Sequence, residues 1–389
     1  MKIHFYPIGR KFSLIEIKEV KTKKDIRIFS EFPTKLYKDC PYYVPNLIGD
    51  ELNTFNPKKN FNLKENKIKG FLCYKDGELV GRIAGLINYE HNRLSGEKYI
   101  RFSRLECIDD IEVFRALIGA VEQFGKENGM DTIHGPWGFN DTDREGMLTE
   151  GFDIRSTYAT NYYYPYFFKR IEELGFKDES KWVEFKFKIP EKPDARILAL
   201  AEKIKAKYKL VDIAETMSVR QILNKYGDKM FDTLNEAYGH LDGYVPIVGG
   251  ARKNVLSQFA TIVNTRYLSF LVDENDDVAG FGIVLPSIAD PLIKHKGRLF
   301  PTGFIGVLKS INSPKQLEMG LTGIKHKYKN TGINALIIAR ILNNIIEDGI
   351  EHIESNPMLE HNLNIQNQWK FAESEIWKRR QTYVKKIGE

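Results

Sequence analysis

The sequence has no long uninterrupted run of apolar residues. A helix that spans a bilayer needs about 20 consecutive apolar residues, and no segment of the 389 residues reaches that length. Residues 1–11 carry charges and a proline instead of the apolar centre of a signal peptide. We therefore expect a cytoplasmic protein without a membrane partner.

Cysteine is also scarce. Cys40, Cys73 and Cys107 lie far apart, without the paired spacing of a metal site or a disulfide framework. We expect these three residues to be reduced and to serve in packing, and we expect no bound metal.

A strong excess of one charge is missing as well. The chain has 58 Lys and Arg residues against 52 Asp and Glu residues, a net charge of +6 that is spread along the sequence. So mild a charge does not indicate nucleic-acid binding. It is equally compatible with a small anionic ligand.

What the sequence does contain is enough chain for two domains. With 389 residues and 42% apolar content, one core would be unusually large. Residues 190–193, Pro-Glu-Lys-Pro, are the best linker candidate. We predict an N-terminal domain over residues 1–190 and a C-terminal domain over 191–389.

The two halves share one predicted order of elements. Each has a hairpin, a strand, a helix, a short strand that ends before a proline, a further helix and a strand. Asp76-Gly77 marks the turn of the first hairpin, and residues 273–277 form the turn of the second. We interpret this order as an internal duplication and predict an α/β protein with a mixed sheet.

The most informative stretch is a predicted strand, loop and helix in the second half. The strand covers residues 317–324, and the helix runs over about 332–347 with apolar residues at helical spacing. The loop is basic and ends in Asn-Thr-Gly at the helix N-terminus, where free backbone N–H groups and the helix dipole favour an anion. We predict a phosphate-bearing ligand there. The residues expected to hold it are Lys325, Lys327, Lys329, Asn330, Thr331, Gly332, Ile333 and Asn334.

This strand, loop and helix resemble those that hold the pyrophosphate of acetyl-CoA or another acyl-CoA in the GNAT acyltransferase superfamily. The family's loop pattern is Gln/Arg-x-x-Gly-x-Gly/Ala. The chain matches it at Gly332 and departs from it at Lys329 and Asn334. Asn362 resembles an asparagine in the family's segment after the fifth strand. The resemblance implies tandem GNAT-like domains packed side by side, acyl-CoA as donor and N-acyltransferase activity.

The first half resembles, more specifically, a group of bacterial two-lobed GNAT-like proteins of unassigned function. The resemblance is carried by residues 76–84, 91–92, 129–130, 134–136 and 150–153. Where the family has a basic, glycine-rich turn, this half has four acidic residues at a helix start. They would repel a pyrophosphate, so we predict that only the C-terminal domain binds acyl-CoA. The four acids are Glu106, Asp109, Asp110 and Glu112.

Acyl transfer from a thioester to an amine needs a base for the amine and a polarised carbonyl, and it gains from an acid for the leaving thiolate. In GNAT enzymes the donor lies where two parallel strands separate. Glu318 and Glu354 lie on the corresponding strands, and His240 lies in a loop that borders the acceptor site of the family. Each is a candidate base, although Glu318 could instead face solvent and His240 could be an ordinary surface histidine.

The family's thiolate-protonating tyrosine has no counterpart after the next predicted helix start, and Tyr383 comes late in the chain. The missing tyrosine and the partial match to the family's loop pattern support a competing hypothesis, in which the protein is non-catalytic and binds a ligand or a partner. An aminoacyl-tRNA donor is less favoured, because the chain has no basic stripe. The hypothesis that we carry forward is an N-acyltransferase with acetyl-CoA as the default donor.

Tyrosine-rich loops are candidate walls of the acceptor site. Tyr162 and Tyr164 belong to a segment that contains five tyrosines, residues 158–166, and Tyr238 and Tyr244 flank the loop of His240. Such rings could line a cleft between the lobes or pack the lobes together. We expect a small-molecule or peptide amine as acceptor, and a homodimer stays open.

Overall fold

The computed structural model of the protein describes residues 13–140, 142–240, 244–362, 366 and 372–388, apart from the side chain of Gln258. Within these ranges, fourteen strands form one mixed sheet and eleven α-helices accompany it. The predicted α/β class with a mixed sheet is confirmed. No helix in the described ranges has the length and apolar character that crossing a membrane requires.

Both halves of the chain alternate strands and helices. The strands of the first half are β1 (Ile15–Glu19), β2 (Asn66–Lys75), β3 (Glu78–Asn88), β4 (Tyr99–Cys107), β5 (Thr132–Gly135), β6 (Met147–Glu150) and β7 (Lys177–Lys188). Its helices are α1 (Lys23–Leu36), α2 (Ile48–Asn53), α3 (Tyr89–Ser95), α4 (Ile111–Glu127) and α5 (Tyr166–Glu173).

The second half begins with a helix. Its helices are α6 (Ala195–Tyr208), α7 (Val219–Tyr238), α8 (Gly249–Ile262), α9 (Ala289–Lys294), α10 (Gly303–Asn312) and α11 (Ile333–Glu347). Its strands are β8 (Val211–Asp212), β9 (Leu268–Val272), β10 (Val278–Pro286), β11 (Gln316–Ile324), β12 (His352–Glu354), β13 (Met358–Leu359) and β14 (Ser374–Lys386).

Local sequence explains several of these boundaries. Asp76 and Gly77 have φ values of 51° and 82°, the left-handed conformation that a two-residue type I′ turn requires, and the predicted β2–β3 hairpin is confirmed. The residue pattern of 210–215 predicts a six-residue strand, which is too long. Only β8 forms, because the Asp212 carboxylate accepts a hydrogen bond from the Ala214 N–H (3.1 Å) and starts a 3₁₀ turn.

The two halves of the chain exchange their last strands. The sheet runs in the order β1-β2-β3-β4-β5-β14-β7-β12-β11-β10-β9-β8. Strand β14, from the second half, therefore lies between β5 and β7, and β7, from the first half, lies beside β12. The predicted boundary after residue 190 falls between β7 and α6, yet the sheet of each half is completed by a strand of the other. We call the two units, each with its exchanged strand, the N-terminal and C-terminal lobes.

Each lobe has its own apolar core. In the N-terminal lobe, α4 and α5 pack on the sheet around buried residues such as Phe102, Leu117 and Phe167. The sheet of the C-terminal lobe carries α6 and α11 on one face and α7 and α8 on the other, because alternate residues of β9 point to opposite faces. This two-sided covering holds the strands of the candidate site in place.

Candidate functional site

The candidate site lies where the parallel strands β11 and β12 separate. The two strands pair only up to Glu318 and Glu354, which face each other in register. Strand β12 ends at Glu354, whereas β11 continues to Ile324. The two glutamates that we predicted as candidate bases therefore flank the opening of the gap.

Glu318 is buried and accepts one hydrogen bond at each carboxylate oxygen. It is 3% exposed, so the alternative in which it faces solvent does not hold. The Ser287 hydroxyl donates to Oε1 (2.7 Å), and the Tyr158 N–H donates to Oε2 (3.0 Å). Burial raises the pKa of Glu318 to about 7, with a contribution from the charge of Glu354, against these hydrogen bonds. A carboxyl group with such a pKa can accept a proton near neutral pH.

Glu354 lies in a different electrostatic environment. It accepts hydrogen bonds from Gln316 Nε2 (2.6 Å) and Lys378 Nζ (2.8 Å), and His352 Nε2 lies 3.5 Å away. Burial opposes its ionisation, but His352 and Lys378 outweigh that effect, and the pKa of Glu354 is lowered. Of the two facing carboxyl groups, Glu354 stays ionised and Glu318 is the one that titrates near pH 7.

Two buried cations balance the surrounding acids. Lys378 Nζ also lies 3.4 Å from Glu184, and Arg380 forms an ion pair with Glu184. All of these side chains are buried. The charges of Lys378 and Arg380 thus offset those of Glu354 and Glu184. An ionised Glu318 would add an uncompensated negative charge in a region of low dielectric, which explains the direction of its pKa shift.

The N-terminal lobe reaches this site through residues 155–158. Arg155 Nη2 donates to Gln316 (2.9 Å), and the Arg155 carbonyl accepts a hydrogen bond from Lys378 Nζ (3.0 Å). The Tyr158 N–H holds Glu318, as described above. The tyrosine-rich segment 158–166 thus meets the site at its first residue, through the Tyr158 backbone N–H.

The other predicted tyrosines lie elsewhere. Tyr162 and Tyr164 pack edge-to-face in the aromatic core of the N-terminal lobe, with ring centroids 5.8 Å apart. The Tyr162 hydroxyl donates to the Phe152 carbonyl (2.9 Å). Tyr238 and Tyr244 contact each other at the end of α7, with centroids 5.8 Å apart. The four predicted substrate residues therefore form two separate groups.

Three further predicted or considered residues are also away from the two glutamates. Among the described residues, the exposed His240 side chain makes no hydrogen bond or ion pair with Glu318 or Glu354, and residues 241–243 lie outside the described ranges. The Asn362 N–H donates to the Leu359 carbonyl (3.0 Å), and most of the helix predicted over residues 360–371 lies outside the described ranges. Tyr383 is buried in the core of the N-terminal lobe.

The predicted phosphate loop joins β11 to α11. Gly332 precedes the helix with φ at 89° and, as a glycine, supplies no capping side chain. At the matching position of the N-terminal lobe, the Asp110 carboxylate accepts a hydrogen bond from the Glu112 N–H (3.0 Å) and caps α4. Of these two matching helix starts, that of α11 is the one without an acidic cap, which favours an anion there.

The lysines of this loop differ in their surroundings. Lys325 is paired with Asp277, and Lys327 Nζ lies 2.6 Å from the Asp273 carboxylate. Lys329 is exposed and forms no ion pair with any described carboxylate. Two of the three predicted lysine ligands are thus partly neutralised, and Lys329 is the one whose charge is not.

The remaining loop residues shape the turn before α11. Asn330 has φ at 63°, and the Thr331 hydroxyl donates to the Tyr328 carbonyl (2.7 Å). Ile333 is buried beneath the helix start, whereas Asn334 lies on its first turn. These contacts hold the backbone N–H groups at the helix N-terminus in fixed positions.

Asn356 is a candidate residue that sequence reasoning missed. Its Nδ2 donates to the Gly320 carbonyl (3.3 Å) and so bridges the separated strands. Its Oδ1 is buried and has no hydrogen-bond partner among the described residues. An unsatisfied buried acceptor costs about 1–3 kcal/mol, so a ligand N–H in the gap would be stabilised there. The only sequence signal was its place two residues after Glu354.

Comparisons with known proteins support this architecture. No profile of a known protein family matches the chain. Protein YghO of Escherichia coli (strain K12) is 26% identical over 378 residues, 94% of each chain. A bacterial ceramide synthase of Caulobacter vibrioides (strain NA1000 / CB15N) is 23% identical over 323 residues, 80% of this chain and 81% of that protein.

The likeness extends to solved structures. A tandem GNAT protein from the clavulanic acid biosynthesis pathway has a TM-score of 0.54 and 13% sequence identity, over 96% of this chain and 99% of that one. The chain therefore has a tandem GNAT-like fold, as the sequence resemblance implied.

Proposed function

We propose that this protein, with its tandem GNAT-like fold, transfers an acyl group from acyl-CoA to an amine, with Glu318 as the general base. The observation that carries the proposal is the pair of facing carboxyl groups at the gap between β11 and β12. Glu354 is held ionised by Lys378, whereas the pKa of Glu318 is raised to about 7. Enzymes tune carboxyl bases to this range by burial and neighbouring charge.

The residues present fit a CoA donor. The uncapped start of α11, with Gly332 and the exposed Lys329, suits a pyrophosphate. The free Oδ1 of Asn356 suits an amide N–H in the gap between the strands, and the pantetheine arm of CoA contains such groups. These are the residues to which we assign donor binding.

The reaction requires two proton transfers. As the new C–N bond forms, the amine loses a proton, and Glu318 lies at the gap to accept it. The C–S bond then breaks and releases the thiol of CoA, which needs one proton. No tyrosine occupies the family's position for that step within the described residues, and a protonated Glu318 can return the proton that it received.

The acceptor and the acyl chain are proposed from the ceramide synthase relative. Ceramide is a long-chain amine that carries a fatty acyl group in amide linkage. By analogy with that relative, we propose a long-chain acyl-CoA as donor and an amphiphilic amine as acceptor. The sequence alone favoured acetyl-CoA as donor and a small-molecule or peptide amine as acceptor. The experiment below therefore also tests transfer of a short acyl group to such an amine.

Thiol release measures this function directly. The full chain is incubated with acetyl-CoA or palmitoyl-CoA and with single amines, namely a sphingoid base, a polyamine or a peptide. We expect amine-dependent thiol release with at least one pair, at a rate that Glu318→Gln lowers by about 100- to 10,000-fold. Failure of every acyl-CoA to bind, measured by calorimetry, would contradict the proposal. Binding without thiol release would favour the non-catalytic alternative, which the paired Lys325 and Lys327 already support in part.

A further inference from the structure

The hairpin of helices α9 and α10 has an exposed apolar face. Between β10 and β11 the chain leaves the sheet for residues 287–315, which contain both helices. Four large apolar side chains on this insertion are exposed within nine residues: Phe300 (80%), Phe304 (38%), Ile305 (58%) and Leu308 (52%). We call these four residues the apolar face. Such clusters mark interaction surfaces in soluble proteins.

Helix α10 is apolar on both sides, although only one side is covered. Ile311 and Val307 belong to a small core that also contains Leu292 and reaches Val44 of the N-terminal lobe. The opposite side carries Ile305 and Leu308, one helical turn apart. A helix that is apolar all round is normally buried, so the outer side of α10 lacks a covering partner within the described residues.

The insertion is held firmly on the protein. The Ile48 N–H donates to the Gly297 carbonyl (2.9 Å), and Arg298 pairs with Glu31 (2.7 Å). Both contacts join the insertion to the N-terminal lobe. The apolar face is therefore presented by a fixed hairpin rather than by a loose loop.

The charged residues of the insertion are almost all basic. Residues 289–315 contain Lys294, Lys296, Arg298, Lys309 and Lys315, with Asp290 as the one acid. All five basic residues are exposed, and Asp290 is paired with Arg155. An apolar surface with a basic rim matches the two components of an anionic bilayer, its acyl region and its negative headgroups.

We propose that the apolar face and its basic rim dock the protein on the surface of an anionic phospholipid bilayer. The helices lie in the interface and do not span it. The expectation of no membrane partner rested on the missing apolar run, which concerns spanning segments alone. The proposal concerns only binding to the bilayer, and it does not depend on whether the candidate site is catalytic.

The insertion that carries the apolar face is connected at both ends to the candidate site. Ser287, the first residue of the insertion, donates to Glu318 (2.7 Å), and Gln316, just after it, donates to Glu354 (2.6 Å). The insertion thus begins at a residue that contacts one carboxyl group and ends just before a residue that contacts the other.

Vesicle sedimentation tests the docking surface. The full chain is spun with sucrose-loaded vesicles of phosphatidylglycerol and phosphatidylcholine, or of phosphatidylcholine alone. We expect binding to the anionic vesicles that falls as NaCl rises from 0.1 to 0.5 M. The double variant Ile305→Asp/Leu308→Asp should reduce the partition coefficient at least about tenfold, and Lys294→Glu/Lys309→Glu should reduce it comparably.

Matched controls separate docking from other outcomes. Leu94→Asp replaces a similarly exposed leucine on α3 of the N-terminal lobe, and Lys98→Glu/Lys126→Glu reverses two exposed lysines of that lobe. Both controls should bind like the wild type, and all variants should keep its thermal unfolding midpoint. Absence of wild-type binding, or equal loss in the controls, would overturn the proposal. So would a dimer that Ile305→Asp/Leu308→Asp converts to monomer without loss of vesicle binding.

Discussion

Glu318 and Glu354 face each other across β11 and β12, yet the shifts of their pKa values have opposite directions. Lys378 contacts Glu354 directly, whereas Glu318 receives only hydrogen bonds from neutral donors. Two identical groups at equivalent strand positions are thus separated into a permanent anion and a group that titrates near neutral pH.

Stability should depend on pH through Glu318. Its pKa is raised from 4.5 to about 7 on folding, so the native state binds the proton more tightly. The resulting stabilisation is complete below about pH 4.5 and is lost as the pH rises through about 7. Relative to Glu318→Gln, the free energy of unfolding of the wild type should fall by on the order of 3 kcal/mol over that pH range. Urea unfolding of both proteins at several pH values measures the difference, and parallel curves would refute it.

Lys378→Met should strongly destabilise the protein. Removing this buried cation leaves Glu354 and Glu184 without its charge, and breaking a buried pair costs about 3–5 kcal/mol. Lys386→Met is the control, because Lys386 lies on the same strand, is exposed and pairs with Asp131 at the surface. It should change the unfolding free energy by less than about 0.5 kcal/mol. Equal effects of the two substitutions would argue against a buried charge cluster.

Reversal of the charge of Lys329 should weaken donor binding. Lys329 lies before α11, where two neighbouring lysines are already paired. Lys329→Glu should raise the Kd for acyl-CoA about fivefold to tenfold, a loss on the order of 1 kcal/mol. Lys38→Glu, at an exposed position after α1, should leave the Kd unchanged in calorimetric titration. If the two variants bind alike, the phosphate loop is misassigned.

The halves of the chain should not fold separately. A polypeptide of residues 1–190 lacks β14, and its strands β5 and β7 would become open edges. A polypeptide of residues 191–389 lacks β7 beside β12. We expect neither to unfold cooperatively by circular dichroism and expect the two to purify together when co-expressed. A cooperative transition in either half alone would show that the strand exchange is not needed for folding.

Local signals made much of the fold predictable. The Asp76-Gly77 turn between β2 and β3 and the apolar spacing of α11 are encoded within short stretches. The exchange of β7 and β14 is not encoded in this way, because the residue pattern of a strand does not specify which strand pairs with it. The sequence did not predict helices at the positions of α2, α3, α9 and α10. The first three are short, and α10 is apolar without a polar face.

The site was predictable only in part. Both glutamates follow from the family's separating strands, and their burial could not be read from sequence. Lys378 and Arg380 alternate with partly exposed residues in β14, but charged residues in a strand normally face solvent. Their burial results from the strand exchange, which places them beside Glu184 and Glu354. Likewise, only the fold brings residues 155–158 of the first half to Glu318.

The pH dependence of kcat/KM tests the central claim most directly. With the acyl-CoA and amine pair that gives thiol release, kcat/KM of the wild type should rise with unit slope and level off above an apparent pKa of about 7. Glu318→Gln should lower kcat/KM about 100- to 10,000-fold and remove that inflection, with the Kd for acyl-CoA unchanged. A Glu318→Gln protein that keeps the wild-type rate and the same inflection would contradict the assignment of Glu318 as the base.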